Sequence, residues 1–185
     1  MKILVTGGCG FVGSNLVDRL VDLNYDVNVI DDLSAGKKEY CNKQASYTFD
    51  DFKKVLKKTD ESIDIVFHLS AIVAEFARKS KCKVVYSGSS SFYGGVYLNP
   101  YAFAKWQGEE VFKMYASIYD VDVVIARFFN VYGPRNPLIG HYTPVVAIFE
   151  EQMKVNQALT VIGDGEQRRD FTHVFDICDG LIALS

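Results

Sequence analysis

Tyr101 and Lys105 are the residues of this sequence whose types and spacing best suit proton chemistry. They stand in Asn99-Pro100-Tyr101-Ala102-Phe103-Ala104-Lys105, where Asn99 can cap a helix that Pro100 begins. A spacing of four puts phenol and ammonium on one face of that helix. An ammonium beside a phenol favours the phenolate and lowers a pKa that is otherwise about 10, so such a tyrosine suits a general base near neutral pH. A Tyr–Lys pair at this spacing is most often a solvated helix face, and its weight comes from its setting. Upstream, VVYSGSSS over residues 84–91 reads as a strand whose carboxyl end delivers hydroxyls to the same crevice.

A second constellation lies at the start of the chain. Gly7, Gly8, Gly10 and Gly13 follow the apolar run Ile3–Val5 directly and open a helical pattern. They fit both G-x-x-G-x-x-G from Gly7 and G-x-G-x-x-G from Gly8. Glycines there permit positive φ, close backbone approach to a pyrophosphate and tight helix–strand packing. The helix N-terminus adds free N–H groups and the positive end of its dipole. Glycine turns alone are common, but this one is answered by Asp31 at the end of the next apolar run, Val27–Ile30. A carboxylate in that place accepts hydrogen bonds from a ribose 2′-OH and repels a 2′-phosphate. NAD is therefore expected over NADP, a preference that Lys37 and Lys38 soften. Taken alone, Asp31 or Asp32 would read nearly as well as a turn or helix cap.

The elements that must hold these residues alternate. Strands are predicted at Ile3–Val5, Val27–Ile30, Tyr47–Phe49, Ile63–Leu69, Val84–Ser87, Val121–Phe128 and Leu159–Ile162. Helices are predicted at Phe11–Leu23, Phe52–Lys58, Ala71–Ser80, Tyr101–Tyr119 and Pro144–Asn156. The stretches Ser87–Gly95 and Tyr132–Tyr142, rich in Gly, Ser and Pro, read as loops. The alternation predicts an α/β fold with a doubly wound, mostly parallel sheet. Residues 1–132 are expected to form a dinucleotide-binding domain and residues 133–185 a partial substrate-binding region packed on it.

Composition removes several function classes. The chain has 185 residues, of which 49% are hydrophobic, enough for one well-buried core. Its net charge is −3, from 23 acidic and 20 basic residues with no basic block, so nucleic acid is not an expected partner. No apolar run reaches the roughly 18 residues that span a bilayer, and the N-terminus does not read as a signal peptide. A cytoplasmic protein with no membrane partner is expected. Cys9, Cys41, Cys82 and Cys178 form no CxxC pair, and His68, His141 and His173 are scattered. No metal site is expected.

Together the segments TGGCGFVGS, DDLSAG, VFHLSA, YSGSSSFYG, NPYAFAK, RFFNVYGPR and GDGEQRRDFTHVFD resemble the extended short-chain dehydrogenases/reductases of the NAD-dependent epimerase/dehydratase family. Within it the likeness is greatest to UDP-glucose 4-epimerases. The resemblance implies a Rossmann domain with NAD as cofactor and a nucleotide sugar as substrate. It implies Ser89 as catalytic serine, with Ser90 and Ser91 as alternatives, Tyr101 as base and Lys105 as the cofactor-binding lysine. Cofactor contacts are implied for Gly7, Gly10, Phe11, Val12 and Gly13 on the turn. Asp31, Asp32, Ser34 and Gly36 are implied on the ribose side, Asp50 and Asp51 near the adenine. Leu69, Ser70, Ala71 and Phe128 complete that set. Ser90, Ser91, Asn130 and Arg169 are implied at the substrate, the last two at its diphosphate, where a guanidinium's planar fork meets two oxygens at once.

The implied reaction has Tyr101 remove a sugar hydroxyl proton while hydride passes to NAD and then returns to the other face of the keto-sugar. Dehydratases of the family place an acid pair after the hydroxyl residue. Here Ser90, Ser91 and Phe92 follow, so epimerisation or simple oxidation is expected. An NAD-dependent nucleotide-sugar dehydrogenase or reductase, and a non-catalytic NAD or nucleotide-sugar module, remain as alternatives. Two shortenings stand out against the family: only IVAEFARKSKCK separates Ala71 from the Val84 strand, and Tyr93-Gly94 meets Asn99-Pro100 almost directly. With the chain stopping at Ser185, the cofactor half is expected nearly whole and the sugar half cut back and open to water. The family's dimer packing implies a homodimer.

Overall fold

Runs such as Ile3–Val5, apolar on successive residues, belong to strands covered on both faces. The computed structural model describes residues 1–56, 62–68, 71–137 and 144–185. Its central sheet has six parallel strands: β1 (Lys2–Thr6), β2 (Asp26–Ile30), β3 (Ser46–Thr48), β4 (Ile65–His68), β5 (Lys83–Ser89) and β6 (Val123–Phe128), ordered β3-β2-β1-β4-β5-β6. This is the doubly wound order, and strand sequence reverses between β1 and β4, where such folds open a crevice at the strands' carboxyl ends.

Alternate side chains feed two cores. On one face Ile3, Val5, Val27, Val29, Ile65, Phe67 and Val85 pack with Leu16, Val17 and Leu20 of helix α1 (Phe11–Asp22) and with Val174, Cys178 and Leu181 of α7 (Val174–Leu184). On the other, Leu4, Ile30, Val66, Val84 and Tyr86 meet α2 (Phe52–Leu56), α3 (Ala71–Ser80) and α5 (Pro100–Tyr119). Each fully buried Val, Leu or Ile contributes about 1.5–3 kcal/mol, so these two layers fix where the strand ends point.

Helix α5 starts where its sequence says it should. Asn99 accepts the Ala102 N–H at 2.8 Å, and Pro100 is its first residue. It lies close against β5, with the Tyr86 hydroxyl donating to the Lys105 carbonyl at 3.1 Å. That closeness requires Gly108, because a Cβ there would sit 2.1 Å from the Tyr86 oxygen.

Two expectations need correcting. Leu159–Ile162 forms no strand: Val161 and Ile162 are 60% and 77% exposed, and the segment has no ladder partner among the described residues. A second, two-stranded sheet stands instead between β7 (Val131–Tyr132) and β8 (Thr172–His173). The predicted loop at Ser87–Gly95 is strand to Ser89 and then a single helical turn, α4 (Ser91–Gly94). Helix α6 (Val145–Lys154) falls within its predicted span. Leu69, Ser70 and His141 lie outside the described residues. No described helix is long and apolar enough to cross a membrane, and no three described His, Cys, Asp or Glu side chains converge as metal ligands.

Candidate active site

Two cavities meet across the glycine turn. One, of about 400 Å³, is lined by Thr6, Gly7, Val12 and Gly13 and, from the neighbouring strand ends, by Ser87–Ser90, Phe128 and Asn130, with Tyr101 and Lys105 from α5. The other, of about 340 Å³, is lined by Thr6, Gly7 and Gly10, by Asp31, Asp32, Ser34, Ala35 and Gly36, and by Asp50 and Phe52. Shared walls at Thr6 and Gly7 make them the two arms of one cleft at the sheet's switch point.

The turn itself is built to approach a ligand closely. Gly7 has φ +71°, and Gly10 caps α1 with no side-chain bond to its N-terminal N–H groups. At Gly13 a Cβ would lie 2.1 Å from the Gly7 carbonyl oxygen, a backbone atom that cannot step aside. The narrow turn, the uncapped helix end and arms on either side fit a dinucleotide, with its pyrophosphate at the turn.

Asp31 is almost fully buried and grips this turn. Its Oδ2 accepts the Cys9 N–H and its Oδ1 the Leu33 N–H, both at 2.8 Å. Asp32 is exposed, and bonds from Ser34 hold its carboxyl below the usual carboxylate range. Asp50 reaches the adenosine-side cavity, whereas neighbouring Asp51 lines neither arm and accepts the Lys53 N–H at the start of α2. Phe11 also lines neither arm; it packs against the α1 core, as Val12 does. Ala71 begins α3.

In the other arm Ser89 Oγ accepts from Ser91 N at 3.2 Å and from Ser91 Oγ at 2.9 Å, leaving its own O–H as a donor. Ser90 is tied to β6 by its N–H bond to the Phe128 carbonyl, 3.0 Å. Tyr101 is 42% exposed at the cavity wall. Lys105 Nζ donates to the Ser87 carbonyl at 2.9 Å and lies 5.9 Å from the Tyr101 ring centroid. Burial pushes the Lys105 ammonium down to about 8, against the opposing charge of Glu109.

That depression has a consequence for stability. Between pH 8 and 10.5 the folded chain sheds a proton that the unfolded chain still holds. The penalty for burying the ammonium is thus full below pH 8 and relieved as pH rises to 10.5. In Lys105→Met the Tm advantage over the parent should be greatest below pH 8 and shrink by pH 10.5 in paired thermal melts. A difference that stays constant with pH would contradict the assigned burial.

Asn130 and Arg169 are less united than their resemblance implies. Asn130 lines the Tyr101 arm and donates from Nδ2 to the Asp170 carbonyl at 2.9 Å. Arg169, one residue earlier, is exposed, lines neither arm, and donates to the Arg168 carbonyl at 2.7 Å.

Sequence reasoning missed Glu109 and Arg127. Glu109 is 1% exposed and takes Arg127 in a bidentate grip, with Nε at 3.0 and 3.1 Å and Nη2 at 2.7 Å. Arg127 also donates to the Tyr93 hydroxyl at 3.1 Å and stacks over Phe92 at 3.6 Å. The pair joins α5, β6 and α4 beside Ser89–Ser91, where β5 passes into α4. The signal was present: Glu109 continues the four-residue spacing of Tyr101 and Lys105 on one helix face.

Comparison with known proteins agrees with this geometry. The sequence profile of the NAD dependent epimerase/dehydratase family matches residues 3–75 and 56–185. A putative UDP-glucose 4-epimerase of Methanocaldococcus jannaschii is 33% identical over 229 aligned positions, covering 99% of this chain and 73% of that protein. The alignment is longer than this chain's 185 residues, so the relative carries internal residues that this chain lacks. UDP-glucuronic acid decarboxylase 1 of Arabidopsis thaliana is 29% identical, over all of this chain and 52% of that protein. The crystal structure of UDP-glucose 4-epimerase with UDP-glucose from Thermotoga maritima superposes with a TM-score of 0.90 at 29% identity, covering 98% of this chain and 72% of that one. The chain thus belongs to the NAD-dependent epimerase/dehydratase family of extended short-chain dehydrogenases/reductases, with a Rossmann cleft for NAD.

Proposed function

We propose that this protein is a nucleotide-sugar 4-epimerase. The observation that carries the reading is the convergence of Ser89, Tyr101 and Lys105 on one cavity beside the glycine turn, with Ser90, Ser91 and Phe92 in place of an acid pair after the hydroxyl residue. NAD, when bound, supplies a hydride acceptor that becomes the donor in the return step. Tyr101 takes the proton from the sugar hydroxyl. Ser89 donates its O–H to the same oxygen, held in that sense by the two bonds it accepts from Ser91. Lys105, fixed on the Ser87 carbonyl, holds positive charge beside the Tyr101 ring. Asn130, on the cavity lining, orients the substrate's diphosphate, and Arg169 joins it by releasing the Arg168 carbonyl. Residues 1–132 serve as the cofactor half and 133–185 as the substrate side. Exposed Met114 and Ile118 on α5, 46% and 63% accessible, support a homodimer through that helix, which sedimentation equilibrium tests.

The curated relatives include a decarboxylase as well as epimerases, so the deciding experiment discriminates among reactions. Purified protein is incubated with NAD and a panel of UDP-, GDP- and dTDP-sugars that includes UDP-glucuronic acid. Interconverted epimers without net NADH are expected. Net NADH would instead make it a dehydrogenase, carbon dioxide release a decarboxylase, and cofactor binding without chemistry a binding module.

A further inference from the structure

Cys9 sits inside the glycine turn, between Gly8 and Gly10, and Cys41 follows the short helical turn Lys38–Tyr40. Both are free thiols, and their sulfurs are 3.6 Å apart. The contact is held by the fold on both sides. Cys9 donates its N–H to Asp31 Oδ2 at 2.8 Å and accepts the Lys37 N–H at 3.0 Å. Cys41 donates its N–H to the Lys38 carbonyl at 3.1 Å. The next residue, Asn42, is anchored to Asp18 of α1 at 2.7 Å and to the Tyr47 hydroxyl at 2.8 Å. Gly36, on the intervening segment, is packed so closely that a Cβ there would lie 2.7 Å from Cys9 Cβ.

We propose that Cys9 and Cys41 form a reversible disulfide that staples the 32–41 segment to the glycine turn and so controls exchange of the dinucleotide. A disulfide bond is about 2.05 Å long, so the sulfurs need to approach by about 1.5 Å. Asp32, Ser34, Ala35 and Gly36 of the tethered segment line the adenosine-side arm. This largely exposed segment forms one wall of that arm, and a covalent tie to the turn removes its freedom to open around a cofactor.

The oxidant is hydrogen peroxide, and Cys41, half-buried where Cys9 is buried, meets it first. The Cys41 thiolate attacks one peroxide oxygen; the O–O bond breaks, water leaves, and Cys41 becomes a sulfenic acid. The Cys9 sulfur then attacks the Cys41 sulfur, the S–O bond breaks, and a second water carries off the remaining proton. Two electrons pass from the thiols to the peroxide. Burial pushes the Cys9 thiol up to about 12, which makes it a slow resolving partner and the closure slow. Cys82 and Cys178 are pushed up to about 11 and about 12 by burial and have no thiol neighbour among the described residues, so they serve as internal controls.

The full chain is treated with hydrogen peroxide, quenched with catalase, alkylated and digested with trypsin. A cross-link between peptides Ile3–Arg19 and Glu39–Lys43 is expected, removed by dithiothreitol, with Cys82 and Cys178 still alkylated. NADH release, followed by fluorescence, should slow several-fold in the oxidised protein and recover on reduction, with no such response in Cys41→Ser. Alkylation of Cys9 and Cys41 after peroxide, a link through Cys82 or Cys178, or a link that leaves release unchanged would each overturn the proposal. The inference rests on the cleft being the cofactor site. NADH binding by the reduced protein, measured first, separates failure of that reading from failure of the disulfide.

Discussion

Tyr101→Phe will lower epimerisation by about 10²- to 10⁴-fold, the range that a positioned general base supplies, while NAD binding and thermal stability stay near those of the parent. The substitution removes one oxygen from a side chain that is 42% exposed, so no buried surface is lost and no cavity is opened in either core. The cavity wall keeps its shape, because the phenyl ring still stands on α5 beside Lys105. A loss of kcat with unchanged KM and unchanged cofactor affinity would mean that the interaction removed is made only in the transition state. The measurement is steady-state kinetics on the best substrate from the sugar panel, paired with a cofactor titration and a calorimetric scan. Retained activity would remove Tyr101 from the chemistry. Loss of NAD affinity in parallel would make it a binding residue instead.

Why Tyr101 and Lys105 were legible in the sequence, and Glu109 was not, comes down to which information is local. Asn99 and Pro100 begin a helix through short-range effects, and four-residue spacing puts the pair on one face with no reference to the rest of the chain. The inner strands were legible for a similar reason: apolar runs covered on both faces, as in β1 and β5, occur where a parallel sheet must lie. Leu159–Ile162 has the same apolar character and is no strand, because a ladder needs a neighbour and local composition does not supply one. Strands β7 and β8 have two residues each, too few to show a period. Helix α7 was missed, since Asp176, Asp179 and Gly180 interrupt its pattern. Its burial is set by α1, more than 150 positions away in sequence, where Val174, Cys178 and Leu181 pack with Leu16, Val17 and Leu20. Ser89 was reached by comparison with a motif, and its two bonds from Ser91 depend on a helical turn that the Gly/Ser-rich run did not announce.

Glu109 shows the remaining class, a residue whose helix face is local but whose partner, Arg127, is supplied only by tertiary structure, and a large stability effect is expected of its substitution. Glu109→Leu will destabilise the fold by about 3 kcal/mol. Breaking a buried ion pair from one side costs about 3–5 kcal/mol, because a charge is left without its partner. The low end applies because the Arg127 side chain is 22% exposed and retains Tyr93 as a neighbour. The bidentate grip gives Arg127 three contacts at 2.7–3.1 Å, and the ring of Phe92 at 3.6 Å cannot replace them. Removing both charges is a different case. In Glu109→Met with Arg127→Met no charge is stranded, two apolar chains fill much of the same volume, and a stability closer to the parent's is expected. Urea unfolding of the two variants and the parent makes the comparison. If the double variant is as unstable as the single, the cost lies in lost packing of α5 against β5 and β6. If it recovers, the cost was the isolated guanidinium, left without its carboxylate.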